Sequence, residues 1–263
     1  MKLQFGRNVY GLGAIAFGLI TIFWRQIDAL GNISHPAILV YIVGALELIG
    51  GFAVQWQRTV KFGALTLILI YLIFSIYLIP PVIETPSAYT YWGNFFEQFS
   101  VVLGGIIIFA STISGQSQRA AMIERAAYRC FGVCVISYSL YQLFYLQYTA
   151  NLVPRWIPPA QMFWAVATTI AFALAAFAVI SGRSALLASR LLTTMFILFG
   201  LLVWLPASLI DPYTLSNWTS SAQNLAVAGS AWIVADLLSE RNINSLKWSF
   251  RHASVEQYRD ASN

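Results

Sequence analysis

Apolar residues along this chain gather into eight stretches, at 8–24, 36–56, 62–79, 95–112, 130–148, 160–181, 186–206 and 222–238. Between and after them lie segments carrying most of the Arg, Lys, Pro and Asn. A helix rises about 1.5 Å per residue and crosses a hydrocarbon core of about 30 Å in roughly 20 residues, so each stretch approaches the length of a membrane helix. Pro36 suits the first turn of its helix, where its missing N–H has no intrahelical partner to lose. The pattern predicts an all-α polytopic membrane protein of eight transmembrane helices. An even count places both termini on one side.

Composition narrows the classes. Of 263 residues, 59% are hydrophobic and 10% charged, and the mean hydropathy is +0.69. A soluble domain carries about a quarter charged residues. Two cysteines and ten acidic residues are too few for a disulfide-stapled scaffold or a multidomain soluble enzyme. The net charge of +5 has a topological reading and not a nucleic-acid one, because no concentrated basic face is present. Lys2, Arg7, Arg58, Lys61, Arg119, Arg125, Arg129, Arg183, Arg190, Arg241, Lys247, Arg251 and Arg259 fall at one set of segment ends, and only Arg25 and Arg155 at the other. Cationic loops stay in the cytoplasm, so both termini are expected there. The expected location is the bacterial cytoplasmic membrane, with membrane lipids and other integral membrane proteins as partners and no nucleic acid.

Two halves of the chain match. Arg7-Asn8-Val9-Tyr10-Gly11 lies over Tyr128-Arg129-Cys130-Phe131-Gly132, and the match continues to Phe23 and Phe144. Pro80, eleven residues and Trp92 recur as Pro206, eleven residues and Trp218, and Gln98 then falls over Asn224. Two parallel four-helix repeats account for this, at 1–115 and 116–240, followed by a tail at 241–263. Four is even, so both units enter from the same side. The basic start, the apolar run after it and Ala29-Leu30-Gly31 loosely resemble a signal peptide, but its removal would leave segment five without a counterpart. The 80–94 and 206–221 stretches read as long outer loops, with proline stopping each preceding helix and Trp and Tyr at the interface.

Gly6-Arg7 with Gly11 and Gly18, then Gly44-Ala45-Leu46-Glu47-Leu48-Ile49-Gly50-Gly51, then Phe96-Glu97-Gln98-Phe99 leading to Gly104-Gly105, resemble the DoxX-type four-helix membrane proteins. Val153-Pro154-Arg155-Trp156-Ile157-Pro158 carries the resemblance into the second half. It covers nearly all of residues 5–239 as two such units in tandem. The resemblance implies a link to sulfur-compound oxidation with quinone and to membrane redox assemblies. Thr169 stands in the place of Glu47 and Gln223 in that of Glu97, so the second unit departs from the pattern.

Glu47 is the only acidic residue near the middle of a span, where a carboxyl is either a polar contact between helices or part of a ligand site or proton relay. Glu47, Trp92 and Trp218 are the candidate ligand-contacting residues. Glu97 and Gln98 are expected in the first turn of segment four, as caps. Cys130 and Cys134, four apart on one helical face, read as packing residues and not as a redox pair. His35 and His252 lie outside every span, so no histidine is placed to hold a haem, and no ligand set suggests a metal. No intrinsic cofactor is expected, and the ligand these residues suit is a bound quinone or lipid. The glycines at 11, 13, 18, 44, 50, 51, 104 and 105 favour close helix contact. The tail alternates Ile243, Leu246 and Phe250 with Lys247 and Arg251, as a surface amphipathic helix does, with a solvated tail as the alternative. Three functional readings follow: a non-catalytic accessory subunit of a membrane redox or energy-converting complex, a quinone- or lipid-interacting component of an oxidoreductase, and a small-molecule transporter.

Overall fold

The apolar stretches fold as helices because a backbone in hydrocarbon must pair its own N–H and C=O groups. The computed structural model describes residues 4–31, 36–113 and 117–261, with side chains from Phe5 to Ile243. His35 and the tail side chains beyond Ile243 lie outside that set. The described residues are all-helical and contain no strand. In order the helices are α1 (Gln4–Trp24), α2 (Ala37–Ala53), α3 (Val60–Tyr77), α4 (Ile79–Glu84), α5 (Tyr89–Thr112), α6 (Gln118–Phe144), α7 (Leu146–Leu152), α8 (Gln161–Ser181), α9 (Ala185–Phe199), α10 (Leu205–Ile210) and α11 (Leu215–Ala261), with a 3-10 turn at Asp28–Leu30. Among the described residues five apolar segments are long enough to cross a membrane: Phe5–Trp24, Val60–Glu84, Tyr89–Thr112, Gln161–Ser181 and Ala185–Ile210. A sixth arises if α6 and α7, which meet at 94°, form one broken span. At 17 residues, α2 is shorter, and α11 carries Asn224 and Asp236 within its apolar stretch.

The helices pack as a ring. Along it, α1 contacts α2, α2 contacts α3, α3 contacts α5, α5 contacts α6, α6 contacts α8, α8 contacts α9, α9 contacts α11, and α11 returns to α1; α5 also meets α11 across the middle. Small residues set the closest crossings. A Cβ on Gly18 would meet the Gly44 carbonyl oxygen at 2.7 Å, and one on Gly51 the Gly11 oxygen at 2.7 Å, so α1 and α2 touch backbone to backbone. Gly13 and Ala226 bring α1 equally close to α11. Without a hydrophobic drive between helices in lipid, this dispersion contact is a main source of association.

Three expectations are corrected. Residues 80–94 and 206–221 are not long loops, because α4 and α10 carry the chain onward and α5 and α11 start early. Neither proline halts its helix outright. Pro80 sits in the first turn of α4, directly after a turn at Leu78. Pro206 follows a π-helical stretch at Gly200–Trp204, in which the Leu205 N–H already reaches back to Gly200 O. That shift of register places the proline at the second residue of α10, where its missing donor costs little. Glu97 and Gln98 lie two turns into α5, since the polar run from Tyr89 to Asn94 is helical and not a loop. They do not cap it. The tail pattern falls on the continuation of α11, which stays helical to Ala261.

Candidate functional site

Glu47 lies on the face of α2 that its glycines turn toward the neighbouring helices, and it is 1% exposed. Thr21 of α1, itself buried, donates its hydroxyl to Glu47 Oε2 at 3.2 Å. Gly18, one turn before Thr21, and Gly44, one turn before Glu47, provide the close approach that this bond needs. Tyr71 of α3 completes the wall. Its ring packs edge-on to Tyr10 with centroids 6.5 Å apart and against Phe17 at 6.3 Å. The Tyr10 hydroxyl donates to Val101 O of α5 at 3.1 Å, whereas the Tyr71 hydroxyl is buried without a partner. Four helices therefore enclose one carboxyl and two phenols.

The matched place in the second half has a related arrangement with the partners exchanged. Gln142 occupies the position matched to Thr21, and Thr169 that matched to Glu47. Thr169 Oγ1 lies 3.1 Å from Gln142 Oε1 and 2.7 Å from Ala165 O, so its single proton is shared between them. Thr168 also approaches Gln142, at 3.1 Å. Where the first half has Tyr10, this half has the buried Phe131. Tyr138 packs among Phe172 and Phe196 and donates to Ser100 Oγ of α5 at 2.7 Å, tying the halves together. The two halves of the chain thus hold long polar side chains on different helices.

Trp92 and Trp218 are placed alike and away from Glu47's bond to Thr21. Each is the fourth residue of its helix, and its indole N–H donates to the carbonyl of a proline six residues earlier: Pro86 at 3.1 Å and Pro212 at 3.0 Å. Trp164 does the same to Pro158 at 2.8 Å at the start of α8. These clamps fix the entry of the chain into each helix, much as a hydrophobic staple does. The geometry makes the tryptophans helix-end anchors, whose polar atom is already engaged. The third clamp was legible in the Pro158-to-Trp164 spacing but carries no signal in the Pro80-to-Trp92 comparison.

Other buried polar groups divide the same way. Gln98 is 7% exposed with Nε2 unpartnered, whereas Asn224, its match, donates to Phe196 O at 2.9 Å. Gly200 makes room for that amide, because a Cβ there would fall 2.8 Å from Asn224 Nδ2. Cys130 is exposed, Cys134 buried, and both are free. Among the described residues no group of three or more His, Cys, Asp or Glu is arranged to hold a metal ion. Comparison with protein-family models, with curated proteins and with solved structures found no match.

Proposed function

We propose that this chain is an integral-membrane accessory subunit of DoxX-like type, packed against other membrane proteins of a redox or energy-converting complex in the bacterial cytoplasmic membrane and performing no catalysis of its own. The observation that carries this reading is the closure of Glu47: its carboxyl is spent on Thr21 inside the helix packing, while the outer faces present Phe23, Phe62, Leu174 and Phe177 exposed. A buried carboxyl bonded between helices is a structural contact, and an apolar perimeter suits lipid and neighbouring helices alike.

In this reading eight helices cross the bilayer as two parallel four-helix units, with both termini cytoplasmic. Supporting it, the contacts of α1, α2, α3 and α5 are repeated by α6, α8, α9 and α11, and the link from α5 to α6 is matched by that from α11 to α1. Gly104 and Ser230 occupy matched positions and face each other, the Ser230 side chain filling the space that a Cβ on Gly104 would need. Matched residues that meet are what a two-fold axis between α5 and α11 requires. Arg7 bonded to Gln55 and Gly6 bonded to Asp236 bring the start of α1, the end of α2 and the later part of α11 to one end.

A second reading, contact with a quinone, is favoured by one observation: the buried Tyr71 hydroxyl that lacks a hydrogen-bond partner. Purification from native membranes in mild detergent separates the two. A stoichiometric membrane-protein partner with no bound quinone supports the accessory role. A lone chain that retains quinone, and loses it in Tyr71→Phe, supports the second. Reporter fusions at the C-terminus test the orientation, and an external C-terminus would overturn the eight-helix reading.

A further inference from the structure

At the end of the bundle where α1 begins and α2 ends, an open cavity of about 720 Å³ is lined by Arg7, Asn8, Gln55, Trp56, Gln57, Arg58 and Thr59. Arg7 is 3% exposed. One guanidinium nitrogen, Nη2, donates to Gln55 O at 3.1 Å; Nε and Nη1 have no partner. Among the described residues no carboxylate forms an ion pair with it. The ion pair present among them joins Arg241 to Glu124, and Asp236, which accepts the N–H of the neighbouring Gly6 at 3.2 Å, forms no ion pair with Arg7. Asn8 Oδ1, in the same wall, is a buried acceptor that also lacks a donor. Arg58 stands exposed at the rim, with Trp56, 60% exposed, beside it.

A buried guanidinium with free N–H groups demands an anion, since a charge removed from water is tolerated only when paired and hydrogen-bonded. Arginine's planar fork fits the oxygens of a phosphate, and a second arginine at the rim adds to the same field. Asn8 Oδ1 calls for a hydroxyl on the same ligand. We propose that this cavity is a binding site for a phosphate-type oxyanion that carries a hydroxyl, either free hydrogen phosphate or the headgroup of a phosphatidylglycerol-type lipid. The matched residues of the second half are arranged differently. Its match to Arg7 is Tyr128, covered by the Arg241 guanidinium at 5.7 Å from the ring centroid, and its α8–α9 link is three residues, Gly182 to Ser184, against six from Val54 to Thr59.

The test uses the full chain in phosphate-free detergent, titrated with sodium phosphate against sodium chloride of equal ionic strength and followed by tryptophan emission. Trp56→Phe identifies the local signal. The expected result is a saturable change with phosphate, absent in Trp56→Phe and weakened roughly tenfold or more in Arg7→Gln and Arg58→Gln. Arg58 is exposed, so its variant keeps the test decisive if Arg7→Gln does not fold. In nanodiscs, a change specific to phosphatidylglycerol over phosphatidylcholine, with free phosphate inert, assigns the site to a headgroup. If neither phosphate nor phosphatidylglycerol alters the Trp56 signal, or if Arg58→Gln responds like the parent, the proposal is overturned.

Discussion

Exchanging the pair at Thr21 and Glu47 for the one that the second half uses is a direct perturbation of the matched-unit reading. In Glu47→Thr the Thr21 hydroxyl loses its acceptor, and two side-chain heavy atoms leave a fully packed place on α2. A lost interhelical hydrogen bond in a membrane costs about 0.6 kcal/mol on average and up to about 1.7. The cavity adds to this, so the single variant should lose about 1–3 kcal/mol. Thr21→Gln alone overfills the crossing beside Glu47 and should cost about 1–3 kcal/mol. The double variant restores the number of heavy atoms and recreates the Gln142–Thr169 arrangement, in which Thr169 Oγ1 lies 3.1 Å from the amide oxygen. Because Thr169 shares its proton with Ala165 O, the recovered bond is the weaker of the two. The double variant should therefore lie about 1 kcal/mol below the parent and well above the sum of the singles. Unfolding in mixed detergent micelles, followed by tryptophan emission, measures all four forms. Strict additivity would refute the reasoning, because it would mean that α1 and α2 do not cross with the geometry of α6 and α8.

Two further outcomes follow from the packing. Gly229→Val should abolish folded yield or cost more than about 2 kcal/mol, since a Cβ there falls 2.5 Å from the Tyr10 Cα and backbone cannot step aside; a thermal unfolding curve like the parent's would contradict the α1–α11 contact. Trp92→Phe, Trp164→Phe and Trp218→Phe keep a ring and remove one N–H bond each, so each should lower stability by about 0.5–1.5 kcal/mol in the same assay, with similar losses for all three if the clamps are equivalent.

The helical character and the use of glycine at crossings were legible, because membrane helices need length and apolarity and small residues admit close backbones. The breaks were not. Proline as a stop signal misled at Pro206, where a π turn absorbs the missing donor, a device that depends on Gly200 yielding space to Asn224 on a distant helix. The early start of α5 was hidden because Tyr-Thr-Tyr-Trp-Gly-Asn at 89–94 has loop composition, yet Tyr89 is held by Ser137 of α6 and Thr90 by Tyr145, between α6 and α7. Glu47 was singled out from its charge, and Thr21 was not, since a threonine in an apolar helix carries no local mark. Arg7 counted as a cation at a segment end and as part of two sequence matches, with no sign of burial; its burial comes from Gln55 and the α2–α3 link.

The polar groups left without partners have a common place. Arg7, Asn8, Tyr71 and Gln98 hold every buried side-chain atom that lacks a hydrogen bond among the described residues, and all four belong to the first half. Their matches in the second half are Tyr128 under Arg241, Arg129, the apolar Ile197, and Asn224 bonded to Phe196 O. If such groups were a general consequence of folding this architecture, they would be spread over both halves. An unsatisfied donor is most costly in hydrocarbon, and in the second half the matched positions are an exposed arginine, an apolar isoleucine, a tyrosine under a guanidinium and a bonded asparagine, so none of them leaves a buried group unpaired. Their retention in one half is the pattern expected when one copy of a duplicated unit keeps the scaffold and the other keeps groups that a ligand or partner completes. On this argument, substitutions of Arg7, Asn8, Tyr71 and Gln98 weaken the binding of a ligand or partner, and those of Tyr128, Arg129, Ile197 and Asn224 leave it unchanged.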